Sequence, residues 1–296
     1  MREILSDRAV TTVIVLAFIL MVGTGLVLPI LPLYARSFGV SYGEAGLLIS
    51  AYAGARLVAD LAGGLAIDRF GERRTAASGL SLVALGTALT GLAPSFPFAV
   101  AFWAWAGVGS SLVFAGMYSH LLKLVPQEWM ARTLSVFYGA FNLGVVFGGF
   151  AAGVIAKHLG LAAPLFFTAG VAGVSVVLYL RFLPERVQPV EPPPLSPQEA
   201  IRERDVAVVP HRARAKVARV LATPGFVMVI AANFAYMWMV VAIFDTLVPL
   251  FARDALEMST IGIGAVFAVS LATEFVVLYP AGIVADRRGR KFVLVP

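Results

Sequence analysis

From Thr75 to Leu122 the chain carries no Asp, Glu, Lys or Arg. A helix crosses the hydrocarbon core of a bilayer with about 20 apolar residues, so a run more than twice as long is two crossings. Ala93-Pro94-Ser95-Phe96-Pro97 is the turn between them. Ala9–Ala35 is likewise uncharged throughout. No soluble core absorbs such runs within 296 residues: charged side chains make up 14% of this chain, against about 25% in soluble domains. The same measure predicts eight spans, at about Val10–Leu33, Tyr42–Ile67, Thr75–Ala93, Pro97–Leu122, Thr133–Ala156, Leu161–Arg181, Phe226–Leu250 and Ile261–Ala285, with Phe292–Pro296 opening a ninth. The first apolar run is too long for a cleavable signal peptide. Cysteine is absent, which removes disulfides and thiol chemistry.

The basic residues set the orientation. With a cytoplasmic N-terminus, 19 of the 23 Lys and Arg fall on the cytoplasmic side, while Arg36, Lys157 and Arg253 fall outside and Arg56 lies within a helix. That bias satisfies the positive-inside rule, and a cell inner or plasma membrane is expected. The net charge of +6 reports topology and contact with anionic lipid, not nucleic-acid binding. The division expected is an N-terminal six-helix bundle over 1–183, a central cytoplasmic loop over 184–223 and a partial C-terminal bundle over 224–296. Within the loop, PERVQPVEPPPLSP reads as an extended linker and Ser196-Pro197-Gln198-Glu199 as a helix start. HRARAKVARVL reads either as a basic amphipathic helix on the membrane surface or as a solvated linker.

One segment is written twice. Gly63–Arg74 reads GGLAIDRFGERR and Ala281–Lys291 reads AGIVADRRGRK, and each copy ends an apolar stretch. Placing Gly64 on Gly282 puts Asp68 on Asp286, Arg69 on Arg287 and Gly71 on Gly289. A charged turn repeated at more than half the chain's length indicates a duplicated transporter fold. On these residues the chain resembles the major facilitator superfamily, whose signature loop lies between helices 2 and 3 and again between 8 and 9. Gly64, Asp68, Arg69, Gly71, Arg73 and Arg74 match the first loop, with Glu72 as a filler; Gly282, Asp286, Arg287, Gly289, Arg290 and Lys291 match the second. The resemblance implies an all-α integral membrane bundle: a six-helix N-terminal half, the first two helices of the C-terminal half and the start of a third. It also implies that the loop holds the cytoplasmic gate closed, and that the chain is a fragment of a longer reading frame or a truncated product that does not transport alone. Physically, Gly64 and Gly282 allow close helix approach, Gly71 and Gly289 a tight turn, and the Asp suits a neighbouring helix N-terminus.

The fifth span reads GAFNLGVVFGGFAAG, with Gly139, Gly144, Gly148, Gly149 and Gly153. It resembles the family's glycine-rich antiporter motif, with Gly149 where a proline would stand. Such spacing also serves helix packing alone. Trp103 stands one helical turn before Gly107, where many proton-coupled relatives carry an arginine.

Charges inside the membrane are the best site candidates, because each costs a few kcal/mol to insert. From Arg56 to Asp68 is about 18 Å along a helix, which puts Arg56 near mid-membrane. Asp60 follows one turn on, within reach for an ion pair. Glu274 precedes Asp286 by the same interval and is the repeat equivalent of Arg56. The pair is expected to face across the cavity that the resemblance implies, binding a zwitterion or closing an empty site. Asp245 is the fourth candidate and a plausible proton carrier. Two groups of aromatic and methionine side chains, Phe102, Trp103, Trp105, Phe114 and Tyr118, then Phe234, Tyr236, Met237, Trp238 and Met239, line the cavity or face lipid. Asn142 and Asn233 are interior polar candidates, and His120 and His158 lack metal-ligand spacing. No phosphate loop, nucleophile elbow or zinc pattern is present, so neither enzyme chemistry, cofactor nor metal is expected. The favoured function is secondary active transport of a small solute, by efflux or antiport or as metabolite transport, with protons as the candidate coupling ion. The alternative is a receptor or scaffold that keeps the fold without transport.

Overall fold

The computed structural model describes residues 8–184 and 223–288. Its elements are α1 Arg8–Val27, α2 Leu31–Arg36, α3 Tyr42–Phe70, α4 Glu72–Gly91, α5 Phe96–Leu124, α6 Gln127–Leu159 and α7 Ala163–Phe182, then α8 Pro224–Trp238, a π-helical stretch Met239–Leu247, α9 Val248–Asp254 and α10 Thr260–Arg288. No strand occurs among the described residues. The central-loop expectations, including Ser196–Glu199 and HRARAKVARVL, lie outside the described residues. So do Gly289, Arg290, Lys291 and Phe292–Pro296.

Two expected spans are broken where proline stands. The first divides into α1 and α2 around Pro29, and the seventh changes from π-helix to α-helix at Pro249. Proline lacks the N–H that would bond the carbonyl four residues back, and its ring crowds that carbonyl. Among the described residues, by length and composition alone, five helical stretches suffice to cross a membrane, or six with α3 taken as one bent span. The helix α4 falls short because its opening Glu-Arg-Arg and its Gly, Ser and Thr dilute its apolar character, and within α10 the described stretch Thr260–Glu274 is apolar. α3 begins with a capping box, in which Ser41 and Glu44 bond each other's backbone N–H.

Within the first half α4 packs along α5 and α7, α3 along α5, and α1 along α6 and α7; α10 packs against α6. Lipid tails are as apolar as leucine, so such contacts depend on close fit more than on the hydrophobic effect. The glycines of α6 supply it on two faces. Gly144 and Gly148 lie against the α1 backbone at Phe18, Val22 and Gly25, and a Cβ on Gly153 would strike the Thr260 carbonyl oxygen of α10.

Three apolar clusters result. One, at the Asp68 end of the bundle, gathers Val13, Leu121, Phe137 and Tyr179, and another, at the opposite end, gathers Tyr34, Leu48, Trp103 and Leu165. The third crosses between the halves at that opposite end, joining Ile30 and Leu33 to Ala156, Leu250, Ile263 and Phe267.

Candidate functional site

Two adjoining cavities, about 90 Å³ and 120 Å³, are lined mostly by the first half and share Thr24, Tyr52, Val83 and Thr168. Met21, Phe114, Met117, Phe137 and Phe141 make the first largely apolar, and Arg56 enters it. Trp103, Ile49, Leu28 and Leu31 wall the second, and Asp245 enters that one. Thus Arg56 and Asp245, on opposite halves, line neighbouring compartments of one apolar, aromatic space.

Arg56 is locally compensated. Its Nε lies 4.0 Å from Asp60 Oδ2, its guanidinium sits 5.5 Å from the Phe114 ring centre, and Ser111 Oγ donates to Asp60 Oδ1 at 2.5 Å. Tyr52 stacks on Trp103 at 5.1 Å. Such an arrangement offsets the cost of holding a cation at mid-membrane. Phe114 also stacks on Tyr118 at 5.9 Å.

Asp245 owes its place to the π-helical stretch. Pro249, four residues on, cannot bond the Asp245 carbonyl, and the helix widens so that Thr246 Oγ1 donates to the Val241 carbonyl, five residues back, at 2.7 Å. Widened turns of this kind often carry functional side chains. Glu274 has a different setting: it is exposed and interacts with the Tyr236 hydroxyl of α8. Arg56 and Glu274, paired by the repeat, are therefore found with separate partners, Asp60 and Tyr236. Trp105, Phe234 and Trp238 are exposed, as is Asn233, while Asn142 is half-buried.

At the signature loop Gly71 adopts φ +79°, turning the chain directly from α3 into α4. A Cβ on Gly64 would meet nothing within 4 Å, whereas one on Gly63 would come within 3.3 Å of Ala115; close helix approach therefore falls at Gly63 and not at Gly64. Asp68 and Arg69 are exposed, with the Arg69 guanidinium over Phe70, and Arg74 is exposed as well. The surroundings of Gly282, Asp286 and Arg287 lie outside what is described.

Glu72, expected as a filler, is buried. It pairs with Lys123 of α5 and accepts from Ser119 at 3.3 Å. Burial pushes this carboxyl up, but the Lys123 and Ser119 hydrogen bonds and the Lys123 charge together outweigh it and hold the group below its ordinary range. Arg73 donates to the Leu180 carbonyl of α7, and His120 meets the Tyr179 hydroxyl at 3.3 Å. These bonds tie α4, α5 and α7 together, all within the first half.

At the opposite end the polar contacts cross between halves. Tyr42 Oη donates to Asp254, Arg36 Nη2 lies 3.9 Å from the same carboxylate, and the Arg36 guanidinium sits 4.8 Å from the Tyr42 ring centre. Thr260 Oγ1 donates to the Gly153 carbonyl at 3.0 Å. A second internal repeat underlies this end: Pro32-Leu33-Tyr34-Ala35-Arg36 matches Pro249-Leu250-Phe251-Ala252-Arg253. Sequence reasoning missed it because the spacing from Arg36 to Arg253 slips by one position from that between Asp68 and Asp286.

Comparison with known proteins now adds to the geometry. The family model for the Major Facilitator Superfamily matches residues 13–296. Similar curated proteins include an uncharacterised MFS-type transporter of Methanocaldococcus jannaschii, 24% identical over 59% of this chain and 46% of that one. Others are Multidrug resistance protein 2 of Bacillus subtilis, 23% identical over 62% and 46%, and Quinolone resistance protein NorA of Staphylococcus aureus, 24% identical over 53% and 40%. The chain spans about half the length of the curated relatives it matches. Among solved structures, a D-xylose-proton symporter superposes with TM-score 0.64 at 15% identity, over 94% of this chain and 69% of the other. A peptide transporter in complex with sulfate gives TM-score 0.55 at 18% identity, over 74% and 47%. The match spans nearly the whole chain, and the chain belongs to the Major Facilitator Superfamily.

Proposed function

We propose that the protein is a secondary active transporter that moves a small, largely apolar solute across the membrane by alternating access, with efflux the favoured direction. The observation that carries this reading is Asp245, a carboxylate entering an aromatic and aliphatic cavity whose other charge, Arg56, is already matched by Asp60. Asp245 is then the group free to take a proton or a solute cation, while Arg56 and Asp60 hold the cavity's shape. Glu274, beside Tyr236, is a second acidic candidate. The names of the Bacillus and Staphylococcus relatives, which concern drug resistance, support efflux. In this reading the membrane is the cell's inner or plasma membrane, the N-terminus and the signature loop face the cytoplasm, and Asp68 and its neighbours gate that side. The described conformation, packed across the halves at the Arg36 end, corresponds to the outward side closed.

The test is flux of a lipophilic monocation in proteoliposomes carrying the full-length product of the gene, driven by a pH gradient. Gradient-dependent flux that is lost in Asp245→Asn and kept in Asn142→Ala supports the reading. No flux in the wild type, with the protein folded, would leave a non-transporting member of the fold.

A further inference from the structure

We propose that a second cavity, at the Arg36 end and outside the central one, binds a phosphate-type oxyanion, carried by a lipid headgroup or by free phosphate. The cavity measures about 580 Å³ and opens between α2, α6, α9 and the start of α10. Arg36, Lys157 and Arg253 all line it. They are the three cations that the charge bias leaves on this side of the membrane, and they converge on one place. Two of them, Arg36 and Arg253, end the repeated Pro-Leu-aromatic-Ala-Arg segments, so the duplication itself delivers one arginine from each half.

The charges do not cancel locally. One carboxylate, Asp254, lines the cavity, and it is engaged by Arg36 and the Tyr42 hydroxyl. Among the described residues neither Lys157 nor Arg253 has a carboxylate within 4.0 Å; Arg253 Nη1 donates to the Met258 carbonyl at 3.3 Å. The excess is two positive charges over an apolar wall of Leu33, Leu161 and Leu250. Guanidinium groups match the tetrahedral oxygens of phosphate with paired hydrogen bonds, and lysine adds a mobile point charge. A ligand held there touches Arg36 and Lys157 on the first half and Arg253 on the second, so it clamps the closed end. The site stands whether or not the central cavity carries solute.

The experiment uses the full-length protein in dodecyl maltoside micelles, which carry no phosphate. Phosphatidylglycerol is titrated in one arm and inorganic phosphate, at matched ionic strength, in the other, with the unfolding midpoint and retained adducts in native mass spectrometry as readouts. We expect the midpoint to rise and one adduct to persist. A response to the lipid alone assigns the headgroup, and a response to phosphate assigns the free anion. The double variant Lys157→Gln/Arg253→Gln should bind at least about tenfold more weakly, the loss of one charge-assisted contact. Lys157→Arg/Arg253→Lys, which keeps the charge, should retain most of the response, and Arg181→Gln at the other end should change nothing. Stabilisation by neither additive overturns the proposal, as does a Gln double variant that responds like the wild type.

Discussion

Among the described residues the two ends of the bundle differ in their contacts. At the Asp68 end Glu72 meets Lys123 and Ser119, and Arg73 the Leu180 carbonyl, all on the first half. At the Arg36 end they run between halves, through Tyr42, Arg36 and Asp254, with Thr260 on Gly153 and an apolar seam beneath. On α3 the contrast appears along one helix, where Leu48 is buried and Leu61 is 82% exposed. Among the described residues the Arg36 end joins the two halves, while the contacts at the Asp68 end brace the first half, a difference that the proposed alternating access would use.

The largest expected effect breaks the joint. Gly153→Leu drives a side chain into the Thr260 backbone, so the α6–α10 contact should be lost, read as loss of cross-linking between the two helices. Gly149→Ala, whose Cβ would sit 3.9 Å from Phe267 and Ala268, and Gly139→Ala, which faces open space, should leave it intact. A benign Gly153→Leu would show that the seam is not a close contact.

Lys123→Met addresses the braced end by leaving Glu72 buried without its cation. Because Lys123 is about one-third exposed, the cost should be about 1–2 kcal/mol, below that of a fully buried pair. Thermal unfolding should register it, while accessibility of the seam should not change. Equal loosening of both ends would erase the contrast.

Smaller effects follow at the exposed latch. The chain has no cysteine, so Ile263→Cys, at a position 1% exposed in the seam, is a lone thiol reporter. Asp254→Asn should raise its labelling rate by about threefold, in keeping with about 0.5–1 kcal/mol for an exposed pair. The mildest effect is of pH. The Glu72 carboxyl is held below its ordinary value in the folded protein, so its contribution to stability is complete above the ordinary carboxylate range. It is lost as pH falls through the lowered folded value. Glu72→Gln should flatten that acid limb of the stability profile.

The sequence made the spans and the loop repeat readable because each rests on local signals: uncharged length, and a Gly-x-x-x-Asp-Arg-x-Gly turn. Gly71 behaves as its type and place demand. The glycines of α6 were legible as packing residues, but which face meets α1 and which meets α10 is set by tertiary position. Glu72 passed as a filler because its partner Lys123 stands 51 residues away. Asp245 was legible as a charge in an apolar span, yet its entry into the cavity depends on the π-helical widening, for which Pro249 four residues on was the available signal. Arg56 and Glu274 share a repeat position, but Asp60 and Phe114 beside the one and Tyr236 beside the other give them unlike surroundings.

Alternating access requires reciprocal movement about the central cavity, and paired thiol reporters measure it directly. Ile263→Cys reports the joined end and Leu61→Cys the exposed half of α3, each alone in the full-length protein in proteoliposomes. Adding a transported solute, or introducing Asp245→Asn as a mimic of the protonated state, should shift the two labelling rates in opposite directions. Rates that move together, or that ignore both solute and Asp245, would contradict it.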